Sequence, residues 1–318
     1  MCFNPSPTKA FNRVNWGDGT IDIRIGDGHT HTYAKAGTYF IKGNIVNGKD
    51  GQPFRNIITK ILRHPKIITN GHCSFWFGCS KLTYIDVSNF NPSEGRRTLN
   101  SFLNGCRSLT NEGLIGFENL DVSNVTNFGS MFQDCPKLTA PPITTFGRPD
   151  SSESIYYGQM YYGDKFVIDN NIVWKIQGKC NLYRMFTLCP NAKEFNVLWE
   201  TDEGVSMEGL FCETKNTVTS LKTMNLTSCG STIFKGYFFG GVGSQENRAL
   251  TTLECTGTQS YSLNLSLYPN LSKESLLNVI NCLCTTTETL NLTLGSANLA
   301  KLTSSEIQIA TDKGWTVS

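Results

Sequence analysis

The chain has few charged residues and few groups that titrate near neutral pH. Charged side chains make up 17% of its 318 residues, histidine occurs 4 times, and the formal net charge is +2. Lysine and arginine form no stripe along the sequence, so the electrostatic pattern of a nucleic-acid-binding protein is missing. We therefore expect no nucleic-acid partner.

Long apolar runs are missing too. No stretch reaches the roughly 18 consecutive apolar residues that a membrane-spanning helix needs. The first residues, 1–5, lack the basic start and apolar centre of a secretory leader. The sequence predicts neither insertion into a membrane nor export by the usual route.

The motifs of common enzymes do not occur. There is no Gly-x-Ser-x-Gly elbow, no phosphate-binding Gly-x4-Gly-Lys-Ser/Thr loop, no His-Glu-x-x-His and no Cys-x-x-Cys pair. A carboxylate pair for glycoside hydrolysis leaves no such signature. The best candidates for it, Asp86 and Asp121, occupy equivalent positions of a repeat, which favours a structural role. We expect a non-enzymatic protein without a cofactor or a metal.

The sequence does contain a repeated pattern, aromatic-x-x-Cys-x-x-apolar, in which one copy has an extra residue at its front. The copies place cysteine 27, 29 and 54 residues apart, at Cys79, Cys106, Cys135 and Cys189. The last step equals two units, and Met160–Asp164 fills the gap as a degenerate copy. A fixed period of this size is typical of stacked repeats.

A second pattern, apolar-x-x-apolar-x-apolar, follows these copies, and its alternation predicts one strand in each unit. Its instances are Leu82–Val87, Phe117–Val122, Leu138–Ile143, Ala192–Val197, Leu221–Leu226 and Leu250–Cys255. The two patterns together are of the leucine-rich-repeat type. The stretch Leu120–Leu138 resembles the repeat of BspA-like proteins. We therefore predict a β-rich α/β solenoid of BspA-like leucine-rich repeats over residues 55–318, with an insertion at about 144–180.

Residues 1–54 have a sequence pattern that differs from the repeats. Short alternating segments are separated by Asp-Gly turns, which predicts a small β-sandwich. The pieces Trp16–Thr20 and His31–Tyr39 resemble the polycystic-kidney-disease (PKD) type of immunoglobulin-like domain. The resemblance implies a short immunoglobulin-like β-sandwich whose leading strands are trimmed.

The C-terminus predicts a unit that closes the stack, over about residues 270–318. Ser272 is the expected N-cap of one helix, and Thr303 with Glu306 forms a capping box for another. The second helix is expected to end at Gly314, before a final short strand at Trp315–Val317.

The cysteines, 12 in number, allow two interpretations. One is a disulfide framework. The other, which we favour, is a row of small buried side chains, because equivalent positions of a repeat lie above one another. His72 beside Cys73 is a weak candidate for a catalytic pair, since neighbouring strand residues point to opposite faces.

Two weak metal-binding candidates lie near the N-terminus. Asp18 and Asp27 could bind calcium at loop tips, although Asp next to Gly is also the ordinary composition of a tight turn. His29 and His31 share one strand face and could ligate a metal, whereas packing across strands is the simpler role. We favour the turn and packing roles.

The tyrosines of the predicted insertion are the candidate binding patch. Tyr156, Tyr157, Tyr161 and Tyr162 lie close together in the sequence with little apolar periodicity around them. Tyrosine offers a large contact area at a small entropic cost, which suits a binding surface. The alternative is that they pack the insertion against the repeats.

These features predict a structural or recognition protein. BspA-like proteins imply attachment, and their combination with an immunoglobulin-like module resembles accessory virion proteins of tailed bacteriophages. We expect a head fibre, decoration protein or tail-associated adhesin, assembled in a host cytoplasm. Its partners would be other virion proteins through the N-terminal domain, or a host-surface protein or glycan through the repeats, with a homo-oligomer as one assembly. The alternative is a bacterial cell-surface adhesin without its leader.

Overall fold

The computed structural model describes most of the chain, and it divides into two compact units, Met1–Leu138 and Thr139–Ser318. The residues that the structure describes are 2–3, 11–25, 31–45, 58–63, 74, 76–93, 98–149, 151–201, 204–214, 217–234, 238 and 246–318. Each unit is described by itself below. The predicted boundary at residues 54 and 55 lies outside the described residues, as do the His72–Cys73 pair, Asp27 and His29.

The described elements are mostly short strands. In chain order they are β1 (Cys2–Phe3), β2 (Phe11–Asn15), β3 (Ile21–Ile25), β4 (His31–Thr32), β5 (Lys42–Ile45), β6 (Lys60–Ile61), β7 (Tyr84–Asp86), β8 (Leu114–Ile115), β9 (Thr145–Phe146), β10 (Ile155–Tyr156), β11 (Val173–Ile176), β12 (Cys180–Asn181), β13 (Glu194–Trp199), β14 (Val205–Ser206), β15 (Ser220–Asn225), α1 (Leu226–Cys229), β16 (Thr252–Thr256), β17 (Leu263–Asn264), α2 (Lys273–Cys282), β18 (Leu290–Thr293), α3 (Ser296–Leu299), α4 (Ser304–Asp312) and β19 (Trp315–Val317).

The first unit begins with antiparallel strands. β2 pairs with β3 and β5, and β1 pairs with β4. The turn between β2 and β3 contains Gly17 and Gly19, whose φ angles of 81° and 95° lie in the left-handed region that glycine adopts without strain. Asp18 holds this turn by accepting hydrogen bonds from the backbone N–H and the hydroxyl of Thr20. The turn interpretation of Asp18 is thereby confirmed.

The first unit also contains a parallel sheet of three strands, β6-β7-β8. Its central strand alternates as predicted, with Ile85 buried between partly exposed Tyr84 and Asp86. Cys79, Leu82 and Leu109 complete the core beneath it, and all three are fully buried.

The second unit contains two sets of parallel strands. β9, β11, β13, β15 and β16 form a five-stranded sheet, while β10, β12 and β14 form a three-stranded one. The first three repeats of this unit, which we call passes of the chain, each supply one strand to the longer sheet and the next strand to the shorter sheet, whereas β15 and β16 both belong to the longer sheet. Residues 144–180, the predicted insertion, supply β9, β10, β11 and the first residue of β12.

Aromatic side chains fill the space inside the second unit. Tyr161, Phe186 and Phe211 stack in a column with ring centroids 6.0 and 5.4 Å apart. Trp174 packs edge-on against Phe186 at 4.9 Å and beside Phe195 at 5.9 Å. All five rings are fully buried. The aromatic residue of the repeated pattern is thus the core anchor of each pass.

The segments that carry the repeated pattern are turns rather than helices. They span residues 101–106, 130–135, 159–164, 184–189 and 209–214, and we call them the turn segments. In each, the first and fifth residues have a positive φ, as at Ser101 and Gly105 or at Arg184 and Leu188. Alternate backbone N–H groups then point to the next pass, so that Ser101, Leu103 and Gly105 donate to the carbonyls of Gly129, Met131 and Gln133.

The prediction of a leucine-rich solenoid behind an immunoglobulin-like β-sandwich is wrong. Within the described ranges the strands fall into six separate sheets, of which the largest has five strands, and helices are few and short. The described residues form no closed solenoid. The N-terminal strands make one three-stranded antiparallel sheet and one two-stranded pair, without the two packed sheets of a sandwich in the described residues.

The physical reason lies in the two predicted strands that do not form. Phe117–Asn119 is a 3-10 turn that begins after Gly116, which has a φ of 78°, so Phe117–Val122 does not pair as a strand. Pro141 and Pro142 lack the backbone N–H that a ladder needs, and Leu138–Ile143 forms no strand. These two failures separate the sheet that ends at β8 from the sheet that begins at β9.

The C-terminal elements agree with their prediction. Ser272 caps α2 by accepting from the backbone N–H of Ser275. Thr303 and Glu306 form a complete capping box for α4, and Gly314 follows the helix with a φ of 89°. β18 then lies between β17 and β19 and pairs in parallel with both.

Candidate binding surface

The predicted tyrosines lie on β10 and in the turn segment that follows it. Strand alternation sends Ile155 and Tyr157 inward and Tyr156 outward. Tyr161 occupies the aromatic anchor position of its turn segment, and Tyr162 follows it with a partly exposed side chain. The structure therefore separates the four residues into two buried and two partly exposed rings.

Tyr157 and Tyr161 are packing residues, which corrects their prediction as part of a binding patch. They are 4% and 0% exposed, so neither ring can meet a ligand at the surface. The hydroxyl of Tyr157 accepts from the backbone N–H of Gly147 at 3.2 Å. The hydroxyl of Tyr161 donates to the carbonyl of Ile143 at 2.6 Å and accepts from its N–H at 2.9 Å. Burial raises the pKa of both phenols.

Tyr156 lies across the backbone of the residue two positions later. A Cβ added to Gly158 would sit 2.2 Å from the Tyr156 hydroxyl oxygen and 2.3 Å from Cζ, so only glycine leaves room for the ring there. Burial, followed by the nearby phenol of Tyr183, raises the pKa of Tyr156. The ring is thus held down on the outer surface of the three-stranded sheet.

Tyr183 is the neighbour that sequence reasoning missed. The N–H of Tyr157 donates to the carbonyl of Asn181, and the N–H of Gln159 donates to that of Tyr183, so Gly158 lies beside Tyr183, which follows β12. The side-chain oxygen of Asn181 accepts from the N–H of Tyr183 at 2.9 Å and fixes the start of its turn segment. Its signal was the repeat period, because Gly158 and Tyr183 hold equivalent positions.

Arg184 completes this surface. Its guanidinium carbon lies 5.3 Å from the centroid of the Tyr183 ring, within the range of a cation–π contact. The backbone of Arg184 has a φ of 52°, and a Cβ on Gly209 of the next pass would lie 2.9 Å from the Arg184 Cγ. The guanidinium is thereby directed along the surface rather than into the core. We call Tyr156, Gln159, Asn181, Tyr183 and Arg184 the tyrosine platform.

The thiols of the repeated pattern form structural hydrogen bonds. Cys106 donates to the carbonyl of Trp76 at 3.2 Å, and Cys135 donates to that of Leu103, also at 3.2 Å. In the second unit Cys189 donates to the carbonyl of Tyr161 at 3.0 Å. Burial raises the pKa of the Cys106 and Cys189 thiols, which disfavours the nucleophilic thiolate. The described cysteines are free thiols, and this arrangement agrees with the buried row.

The histidine that the structure describes also has a structural role. Nε2 of His31 lies 2.7 Å from the Asp18 carboxylate, and its ring stacks on Trp16 at 4.6 Å. Tyr33 packs against the same imidazole edge-on. These contacts agree with the packing role. Across the part of the chain that the structure describes, no group of three or more His, Cys, Asp or Glu side chains is arranged to hold a metal ion.

Asp86 and Asp121 hold local turns. Asp86 accepts from the backbone N–H of Ser88, and Asp121 accepts from the N–H and the hydroxyl of Ser123. These hydrogen bonds lower the pKa of both carboxyl groups, so each is an ionised acceptor near neutral pH. Their equivalence in the repeat reflects this shared turn chemistry.

Comparison with known proteins gives one family match. A family model described as a Mycoplasma protein of unknown function, DUF285, matches residues 73–224, which include the turn segments and the tyrosine platform. Neither a curated protein nor a solved structure matches the chain. Among the helices within the described ranges, none combines the length and the apolar character needed to cross a bilayer.

Proposed function

We propose that this chain is a non-enzymatic recognition protein that attaches to a surface ligand through the tyrosine platform. The observation that carries the proposal is the contrast between its reactive groups and its aromatic ones. Thiols and carboxylates that catalysis would use are occupied in structural hydrogen bonds, as at Cys106, Cys189 and Asp121. Tyr156 and Tyr183, in contrast, remain partly exposed.

Side-chain chemistry supports attachment rather than turnover. A hydrolytic site needs a base, a nucleophile or a metal within hydrogen-bonding reach of the reacting atoms. Within the tyrosine platform, Arg184 lies over the Tyr183 ring, and Glu208 is exposed on the next pass. An aromatic surface with amide and guanidinium edges suits binding without chemistry.

The experiment is a binding screen with the full chain immobilised on a sensor. Purified surface glycans and purified surface proteins are passed over it, and the same mixtures are afterwards analysed for cleaved products. We expect saturable binding to at least one ligand and no product. Release of product, or the absence of saturable binding to every ligand in the screen, would contradict the proposal.

A more specific part of the proposal concerns the assembly to which the protein belongs. The resemblances to a PKD-type module and to BspA-like repeats support a virion component of a tailed bacteriophage, with a bacterial surface adhesin as the alternative. The two differ in solution. A stable trimer or larger closed oligomer with free thiols would support the virion component, whereas a monomer with oxidised cysteines would overturn it in favour of the adhesin.

A further inference from the structure

The outer surface of the three-stranded parallel sheet places two aromatic rings side by side. Tyr156 on β10 faces outward in the same row as Asn181 and Ser206 on the next two strands. Neighbouring strands lie about 4.8 Å apart, so this row is on the order of 10 Å wide. That width is close to the length of one or two sugar rings laid flat.

Gly158 makes the two rings continuous. Its position lies beside Tyr183, and any side chain there would stand between Tyr183 and Tyr156. With no side chain present, the Tyr156 ring occupies the space itself, within 2.3 Å of where a Cβ would be. The glycine therefore leaves no side chain between the Tyr156 ring and Tyr183 of the next pass.

Polar groups surround the two rings. Gln159 begins the turn segment after Tyr156 with a φ of 58°, and Asn181 pairs with Tyr156 and precedes Tyr183 by two residues. The Arg184 guanidinium lies over the Tyr183 ring, 5.3 Å from its centroid, and adds a planar donor there. Planar amide and guanidinium groups beside an aromatic face can bind hydroxyl groups while the ring contacts C–H groups.

We infer that the tyrosine platform binds the pyranose rings of a neutral glycan, with Tyr156 and Tyr183 each contacting the C–H face of one sugar. This inference rests on the proposed function and names its ligand class. The negative face of an aromatic ring attracts the weakly positive C–H groups of a sugar. The charged side chains close to the platform have both signs, since Arg184 lies over Tyr183 and Glu208 follows on the next pass.

The competing ligand is a protein segment. An extended peptide that adds to a sheet needs an unpaired strand edge. The tyrosines, however, lie on the face of the sheet, and Asn181 belongs to its central strand, paired on both sides. A face with flat aromatic rings suits a sugar ring better than a peptide backbone, and binding of proteins alone becomes one outcome of the test.

The test titrates the full chain with four neutral hexasaccharides, built from glucose in α- and β-linkages, from xylose and from N-acetylglucosamine. Binding is measured by calorimetry for the native chain and for Tyr183→Ala, Tyr183→Phe and the matched control Tyr261→Ala, which removes an exposed tyrosine of the same unit. We expect Tyr183→Ala to weaken binding about tenfold. Tyr183→Phe should keep most of the affinity, and Tyr261→Ala should keep all of it.

Gly158→Ala provides a second variant that removes no group of the platform. Its methyl group would displace the Tyr156 ring, so the affinity for the sugar should fall by a similar factor. In a double variant, adding Gly158→Ala to Tyr156→Ala should lower the affinity little further, because both changes act on the same ring. Circular dichroism and thermal melting confirm that each variant is folded. If one variant fails to fold, the other still tests the surface.

The outcomes separate the inference from the proposed function. If no hexasaccharide binds at millimolar concentration, or if Tyr183→Ala and Tyr261→Ala behave alike, the inference is overturned. Binding of surface proteins without any binding of sugars would overturn it too, although the proposed recognition function would stand. Cleavage of a hexasaccharide would instead contradict the proposed function itself.

Discussion

Cys106 shows why cysteine recurs in the repeated pattern, and it supports a quantitative prediction. Its side chain is fully buried, and its thiol donates to the carbonyl of Trp76 at 3.2 Å. The same carbonyl accepts the backbone N–H of Cys79 at 3.0 Å, so it bonds to two passes of the chain at once. If the donor matters, an alanine and a serine at this position should differ in a definite direction.

Cys106→Ala removes the sulfur and the donor together. Loss of the buried apolar volume costs about 1 kcal/mol. The remaining cavity and the lost hydrogen bond bring the destabilisation to about 2 kcal/mol. Cys106→Ser loses volume but keeps a donor that is stronger than a thiol, so we expect about 1 kcal/mol.

The assay is urea unfolding combined with hydrogen exchange of peptides from residues 76–109, because a chain with two units need not unfold in one step. Cys282 is the matched control, since it is partly exposed and its sulfur lies 3.6 Å from the carbonyl of Cys255. Its alanine and serine variants should agree within about 0.5 kcal/mol. A Cys106→Ser variant less stable than Cys106→Ala would refute the donor role and leave cysteine as an apolar filler.

Three further predictions concern other parts of the chain. In alkylation followed by mass spectrometry, the described cysteines should all be free, and Cys282 and Cys284 should react first in the native protein; a disulfide between any two of them would contradict this. Hydrogen bonds from Thr20 hold the pKa of Asp18 at about 2, below its usual 3.8, so the stability that this carboxylate adds is complete above about pH 4 and lost as the pH falls toward 2. Carboxyl NMR should give that pKa, and Asp18→Asn should remove this one contribution to the pH dependence of stability, while Asp86 and Asp121 keep theirs. Asn298→Ala should destabilise the C-terminal region by about 3 kcal/mol in thermal unfolding, because the buried amide nitrogen lies within 3.2 Å of three carbonyl oxygens; the exposed Asn291→Ala should change it by less than about 0.5 kcal/mol.

The sequence predicted the period and the C-terminal elements because these depend on local chemistry. The caps of α2 and α4 need only Ser272, Thr303 and Glu306 at the correct spacing, and the anchor rings recur at fixed intervals. The continuity of the sheet is a different matter, since each strand must also find its neighbour. Pro141 and Pro142 stand within Leu138–Ile143, but the apolar pattern of that segment gives no sign that the ladder is interrupted.

The turn segments were harder to predict because their backbone is unusual for the residues in it. Gly105 and Gly163 signal a positive φ, but Asp134, Leu188 and Glu213 adopt the same conformation at equivalent positions. A residue other than glycine loses on the order of 1 kcal/mol of stability when its backbone adopts the left-handed conformation. The backbone hydrogen bonds to the next pass outweigh that cost. Propensity alone therefore hides these positions.

The candidate surface was found in part. Tyrosine content indicated this region, and Tyr156 lies on the surface, but composition cannot say which way a ring points. Tyr157 and Tyr161 differ from Tyr156 only by strand phase and by position in the turn segment. Tyr183 was missed because it comes from the next pass, at a distance that only the register of β10 and β12 reveals.

The pairing of each pass with the next one also sets how the chain acquires its structure. Hydrogen bonds between passes join residues from 20 to 33 positions apart, as in Asn247 with Leu267 and Asn298 with Leu265. Contacts of such short sequence separation favour fast folding, since each new pass closes only a short loop. A growing chain can therefore complete one pass while later residues are still being synthesised. Local unfolding of one pass would expose to solvent mainly the two passes that pair with it.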